Sequence, residues 1–345
     1  MANWQSELEL AWQAQLIDLV TAIACAPDGS SWAASSAAGE VVWNPGLLDL
    51  VTLQPAGDRS IDCLAFSADS RWLAAGGQTG ELLIWDCADR HSPPQLVQQI
   101  QIGKWIEQLA WHPVAAQLAI GVGATVQIWD VPTGTEIHTT KFTKSAIFDL
   151  AWHPAGRELA MAGYQGVQLW SELGHTAPAD EIDTATASIQ LAWARDGRYL
   201  AAGNLDRTLT IIDWHNPAQR WLLAGCPGKI RHIVWIAGNT TPCLAVASGL
   251  AIVLWQLNSA ATAWEGQLLE GHQESVVSLA AHPSLPLFAS ASSDRHLCLW
   301  SAQGEIHQII TDGVSQFTVM AWQPQSQYLL AGSQSGSISL WLMPA

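Results

Sequence analysis

The chain has 345 residues, 49% of them hydrophobic and 13% charged, which describes an ordered globular protein and excludes a disordered one. Its 30 Asp and Glu against 14 Lys and Arg give a net charge of −16, which argues against general binding to nucleic acid or an anionic membrane, since both require basic surface. The start, MANWQSELEL, lacks a basic stretch followed by an apolar one, and no window reaches 18 uninterrupted apolar residues. Neither a signal peptide nor a membrane span is expected.

In chain order, one short pattern recurs. An apolar run of about six residues comes first: VTAIAC (20–25), IDCLAF (61–66), IEQLAW (106–111), IFDLAW (147–152), SIQLAW (188–193), RHIVW (231–235), VVSLAA (276–281) and FTVMAW (317–322). Turn residues follow, among them Pro27-Asp28-Gly29, His112-Pro113, His153-Pro154, Asp196-Gly197, His282-Pro283 and Gln323-Pro324. Proline presets one turn dihedral and glycine supplies a positive φ, so these are tight hairpin connections. A second run rich in small residues comes next, such as WLAAGG, ELAMAG and LFASAS, and small residues suit sheets that pack closely face to face. A third run then ends at Trp43, Trp85, Trp129, Trp170, Ile212, Trp255, Trp300 or Trp341, at intervals of 42, 44, 41, 42, 43, 45 and 41 residues. More polar, alternating segments (50–54, 95–102, 136–142, 181–187 and 305–310) supply an outer fourth strand with one exposed face. Repetition of four short strands at this period predicts an all-β, closed β-propeller of four-stranded antiparallel blades.

Eight three-strand sets are present, and the last has no fourth strand after Trp341. The alternating segment SELELAW (6–12) is expected to complete that blade and close the ring, leaving no open sheet edge. Every blade then needs its neighbours, so residues 1–345 are read as a single domain. The six cysteines (Cys25, Cys63, Cys87, Cys226, Cys243, Cys298) are scattered and form no C-x-x-C. They are expected to be free thiols in a reducing, cytoplasmic compartment, with no zinc or other metal site and no cofactor.

The seventh unit carries the most chemistry. Gly271-His272 precedes its first run, Ser290 lies on the second, Asp294 follows four residues later, and Trp300 closes the third six residues after that. This unit resembles a WD40 repeat, and the resemblance extends over residues 4–345. It implies a β-propeller, usually of seven blades, which makes seven the alternative to the eight counted here. It also implies that His272, Ser290, Asp294 and Trp300 form a hydrogen-bonded structural tetrad. The same residue types make up a Ser-His-Asp catalytic triad, but the tetrad's serine is buried and committed to the Trp. Elsewhere the motif is eroded: Ala202, Asp206 and Ile212 stand in the fifth unit, Ala75 and Thr79 in the second, Ala331 and Ser335 in the eighth. Units one, three, four and six are read as having a second-to-third-strand turn one residue shorter.

The His112, His153 and His282 turns sit in different blades, so repeated turn chemistry explains them better than a shared ion. Trp111, Trp152, Trp193, Trp235 and Trp322 end first strands and are read as core. Charge is more informative. Arg59, Lys104, Lys144 and Lys229 lie just before inner strands, and Arg207 and Arg295 lie on second-to-third-strand turns, all at the same end of a propeller. Trp105 and Tyr164 join them there, and Asp18, Asp58 and Glu274 sit in the entry segments of units one, two and seven, so the face is expected to be basic and aromatic over blades two to six and acidic over seven, eight and one. Arg71, Arg157 and Arg198 follow turns at the opposite end and are read as solvated. Arg, Trp and Tyr are the side chains that anchor interfaces. Together with the resemblance, this implies a non-catalytic scaffold or assembly-factor module, monomeric on its own. It would bind a protein or peptide of acidic or mixed charge on the narrow face, without binding nucleic acid or inserting into a membrane. The alternative is a propeller hydrolase or lyase with a central pocket, drawing on Glu107, Asp149 and His232.

Overall fold

In a computed structural model the chain forms eight four-stranded antiparallel sheets arranged as the blades of a closed ring. The structure describes residues 7–45, 50–89, 92–142, 144–171, 179–184, 186–216, 219–311, 315–325 and 327–344. Each blade runs outward from an inner strand to an outer one in sequence order, except the last. There Glu9–Gln15 pairs antiparallel with Ser337–Leu342, so the outermost strand of blade eight comes from the start of the chain. First strands of successive blades contact one another around the central channel.

Eight hydrophobic clusters hold the ring, one for each junction between neighbouring blades. At the closing junction Leu16, Val20, Trp32 and Val42 of the first turn of the ring pack on Leu330, Ile338 and Leu340 of blade eight. The small residues of the second strands are fully buried, as at Trp72–Gly77, Cys243–Ser248 and Leu287–Ser292. Glycine is required where sheets approach most closely: a Cβ on Gly332 would lie 2.5 Å from the Val20 side chain of the neighbouring blade. Outer strands alternate exposed and half-buried positions, as the polar alternation of Gln95–Gln101 dictates. Those of blades five and six, Arg220–Leu223 and Trp264–Leu269, carry weaker alternation and are not marked in the sequence as the others are.

Two sequence expectations change. Inner strands of blades three and four begin later, at Gln108 and Asp149, and the backbone N–H groups of Ile106 and Ile147 bind the turn carbonyls of Gly77 and Gly123. The first blade's second-to-third-strand turn has the full length, not the shorter one: Gly39 N donates to Ser36 O, the same bond that Gly80, Arg207, Arg295 and Gly336 make in blades two, five, seven and eight. In consequence Asn44, opposite Trp32, holds the place that Trp300 holds opposite Phe288. Trp43 sits one residue earlier and therefore on the other face of its sheet, toward blade two.

The tryptophans that end first strands do more than fill volume. The indole N–H groups of Trp111, Trp152, Trp193, Trp235 and Trp322 donate to the carbonyls of Ala65, Ala110, Ala151, Ala192 and Ala280, each in the preceding blade, at 2.9–3.1 Å. The turn histidines latch in the other direction. His112 and His153 accept backbone N–H bonds at Nδ1, which leaves the proton on Nε2 to be donated to Gly156 O and Gly197 O of the next blade at 2.8 and 3.0 Å. Their rings meet Trp152 and Trp193 edge-on. Gln323 makes the corresponding bond from blade eight to Gly29 of blade one.

His282 keeps the intra-turn bonds from Ser284 and Leu285, but its Nε2 has no hydrogen-bond partner among the described residues. Burial pushes its pKa down to about 4. The folded state therefore holds a neutral ring where the unfolded chain takes a proton. Its contribution is complete above about pH 6.5 and is lost as pH falls toward about 4. Asp149, raised to about 6 by burial, acts with the opposite sign, favouring the fold at low pH and losing that contribution as pH rises through about 6. Comparing His282→Gln with the wild type isolates the histidine. The wild type is expected to lose on the order of 2 kcal/mol relative to the variant between pH 6.5 and 4, measured by urea unfolding at several pH values.

Candidate interaction face

In blade seven His272 Nδ1 lies 3.1 Å from Asp294 Oδ2, its Nε2 lies 2.7 Å from Ser290 Oγ, and Trp300 Nε1 donates to that same oxygen at 2.8 Å. Asp294 also accepts the backbone N–H groups of Gln273 and His296. Burial alone would raise the Asp294 carboxyl, but these N–H bonds and His272 together hold it below the usual carboxylate range. Burial outweighs the attraction of Asp294 at His272 and lowers its pKa, which keeps the ring neutral, with its proton on Nδ1 toward the carboxylate. The Ser-His-Asp connectivity is that of a hydrolase triad, but Ser290 is wholly buried and its oxygen already receives the indole proton. The arrangement pins one blade and offers no nucleophile to a substrate.

The residues of the alternative reading are likewise placed. Asp149 accepts bonds from Leu150 N, Leu191 N and Gln190 Nε2, clipping blade four to blade five. Glu107 and His232 line two separate cavities at the channel mouth, of about 230 and 450 Å³. Among the described residues no cluster of three His, Cys, Asp or Glu side chains could hold a metal ion. All six cysteines are free thiols, and burial raises the pKa of each.

The basic rim is assembled by backbone contacts. The segments leading into each inner strand lie against the second-to-third-strand turns. Ser60 O accepts Gln78 N, Lys229 O accepts Gly249 N, and a Cβ on Gly80 would lie 2.7 Å from the Lys104 backbone. Arg59, Lys104, Lys144, Arg207, Lys229 and Arg295 are thus brought to one end of the ring, all exposed. Trp105 and Tyr164 are there too, about half exposed, with Trp105 Nε1 donating to Asp62 at 2.7 Å.

Arg71 and Arg198 at the opposite end are paired, a correction to reading them as merely solvated. They bind Asp86 at 3.0 Å and Asp213 at 3.1 Å and lie over the Trp72 and Tyr199 rings. Among the described residues no ion pair reaches Arg59, Lys104, Arg207, Lys229, Arg231 or Arg295.

Two of these arginines sit on strained backbone. Arg207 and Arg295 have φ of 71° and 69° at the turn position that Gly39, Gly80 and Gly336 occupy in blades one, two and eight. Side chains rarely adopt this conformation, at a cost of about 1–2 kcal/mol. Arg207 Nη1 donates to Pro227 O in the segment leading into blade six at 3.3 Å.

Residues that the sequence does not single out complete this end. Arg231 is exposed at the mouth. Ile17, Phe148, Leu205 and Leu250 join Trp105 and Tyr164 as exposed large apolar or aromatic side chains, against Val114 alone among the described turn residues of the other end. Their signal in the sequence is slight, because each looks like an ordinary strand or turn residue until the ring places them together.

The WD40 family model (WD domain, G-beta repeat) matches residues 50–86, 265–301 and 307–341, which are the third and earlier strands of blades two, seven and eight with the outer strand before each. The other blades carry the same topology with the motif only partly kept, as Trp129, Trp170 and Trp255 in blades three, four and six and Asp206 in blade five. The chain is a WD40-repeat β-propeller. Among curated relatives, this propeller is 37% identical over 79 residues to a Schizosaccharomyces japonicus protein named a probable cytosolic Fe-S cluster assembly factor. That alignment takes in 22% of the propeller chain and 13% of the relative. WD40 propellers are in general interaction scaffolds.

Proposed function

We propose that this propeller is a non-catalytic interaction module that holds an acidic or mixed-charge segment of a partner protein on the face carrying Arg59, Lys104, Trp105, Lys144, Tyr164, Arg207, Lys229 and Arg295. The observation that carries this reading is the difference between the two ends. At the far end Arg71 and Arg198 are spent on carboxylates of their own blades, whereas among the described residues no ion pair reaches Arg59, Lys104, Arg207, Lys229 or Arg295, on a chain of net charge −16. An unpaired cation gains more from an incoming carboxylate than one already paired, and field complementarity speeds encounter. A role in assembling a larger complex draws support from the named relative, and the free thiols, four of them buried, suit a reducing, cytoplasmic setting. Among the described residues no helix is long and apolar enough to cross a membrane.

Affinity purification from the native organism with Lys104→Glu/Lys144→Glu as the control tests the reading. The double variant is expected to reduce capture of the specific partner about tenfold or more while leaving the melting temperature within about 1 °C, since exposed substitutions change stability little. Arg207→Gly gives a second check with opposite signs. It should raise stability slightly by relieving strain and still weaken capture. Undiminished capture by both variants would remove this face from consideration.

A further inference from the structure

Between blades four and seven the channel mouth opens into a cavity of about 450 Å³, within the range that takes a ligand side chain or two. Phe148 and Leu205 stand on its walls with 41% and 54% of their surface exposed, and Val277 closes the far side. Lys229, Arg231 and His232 line the same cavity, and among the described residues no carboxylate does. Exposed apolar side chains beside unpaired cations are costly to leave open to water and are the composition of an anchor site. Gln190, also on the wall, is held in place by Asp149 from the neighbouring blade. Across Phe148 lies the smaller cavity, whose walls carry Asp62 and Glu107. The mouth is thus cationic over blade six and anionic over blades two and three, with Phe148 as the ridge between them.

The other cavity of about 450 Å³, at the opposite end between blades five and seven, offers no such contrast. Its walls carry Asp196 beside Arg195, and Arg195 is already committed to Pro283 O.

From this juxtaposition we infer that the mouth between blades four and seven is an anchor site for an extended acidic segment of a partner protein. It takes one Asp or Glu against Lys229 and Arg231, and an adjacent large aliphatic or aromatic side chain on Phe148, Leu205 and Val277. The inference rests on the proposed function, and narrows it from a basic face to one cavity and one residue pair. The acidic cavity beyond Phe148 sets direction. A segment whose basic residues lie on the far side of the apolar one is favoured, and the reversed charge order meets like charge at both ends.

The test is selection of a displayed random ten-residue peptide library on the intact protein, followed by titration of the selected peptides by fluorescence anisotropy. The expected outcome is enrichment of Asp or Glu next to Leu, Ile, Met, Phe or Trp. Binding should weaken at least tenfold in Arg231→Glu and in Leu205→Ser, and less than threefold in Lys104→Glu/Lys144→Glu. All of these side chains are exposed, and unchanged melting temperatures confirm that the variants fold. Peptides that lose affinity only in Lys104→Glu/Lys144→Glu would overturn the anchor site and leave the basic rim standing. Peptides without acidic enrichment, or no selected peptides at all, would also overturn it. Acidic peptides indifferent to all three variants would sink both readings.

Discussion

Deletion of residues 1–15 is expected to lower the melting temperature by about 5 °C or more. The strand Glu9–Gln15 pairs along the whole of Ser337–Leu342, and its removal strips the outer strand from blade eight. Leu8, 4% exposed, leaves the core between blades seven and eight, and Trp12 leaves its edge contact with the Trp32 ring at 5.5 Å. Burying one such side chain is worth roughly 1.5–3 kcal/mol, so the two together make at most about 3–6 kcal/mol. A kcal/mol moves the midpoint by about 2 °C in a chain of this size. The exposed edge of Ser337–Leu342 would in addition be free to pair with other chains, so light scattering should rise with concentration. A midpoint within 1 °C of the wild type would show that the ring does not depend on its closing strand.

The second large effect is expected at His272. Replacing it with Ala leaves Asp294 buried with only the more distant His296 ring, at 3.4 Å, as a side-chain partner, and Ser290 with the indole donor alone. The carboxylate keeps the two backbone N–H bonds from Gln273 and His296, so the loss is not that of a bare buried charge. A cost of about 1–3 kcal/mol follows for the groups left unsatisfied. Because a buried neutral histidine and a stabilised carboxylate both favour the fold at higher pH, the gap between wild type and His272→Ala should narrow as pH falls. The histidine's share goes first, as the unfolded chain takes up its proton below about 6.5, and the carboxylate's is lost further down, below its usual range. Ser290→Ala provides the companion measurement and should cost a similar amount. Urea unfolding at pH 5 and pH 8 reads both variants. Equal stability of His272→Ala and wild type at pH 8 would mean that the tetrad does not pin blade seven.

Sequence by itself determined the architecture, because a propeller blade is a local object. Its strands are consecutive, its hairpins are marked by Pro, Gly and His, and its period survives wherever Trp85, Trp129, Trp170, Trp255, Trp300 and Trp341 recur. The tetrad was legible for the same reason, since His272, Ser290, Asp294 and Trp300 lie within one unit. Register was less secure. Trp43 fits the period to within one residue, but in a strand one residue is the difference between two faces, and pairing of Trp32 with Asn44 decided it.

The interaction face depends on tertiary structure throughout. Phe148, Leu205, Arg231 and Val277 come from four different blades and lie up to 129 positions apart in the chain. The turn before Arg198 sends it to the other end from Arg231, but nothing local shows that it ends beside Asp213 while Arg231 lines the channel mouth. Closing the ring brings the first group to one cavity and leaves its cations without carboxylates. Whether a charge is spent within the protein or remains available to a partner is set by neighbours in space, and those neighbours exist only once the eight blades have met.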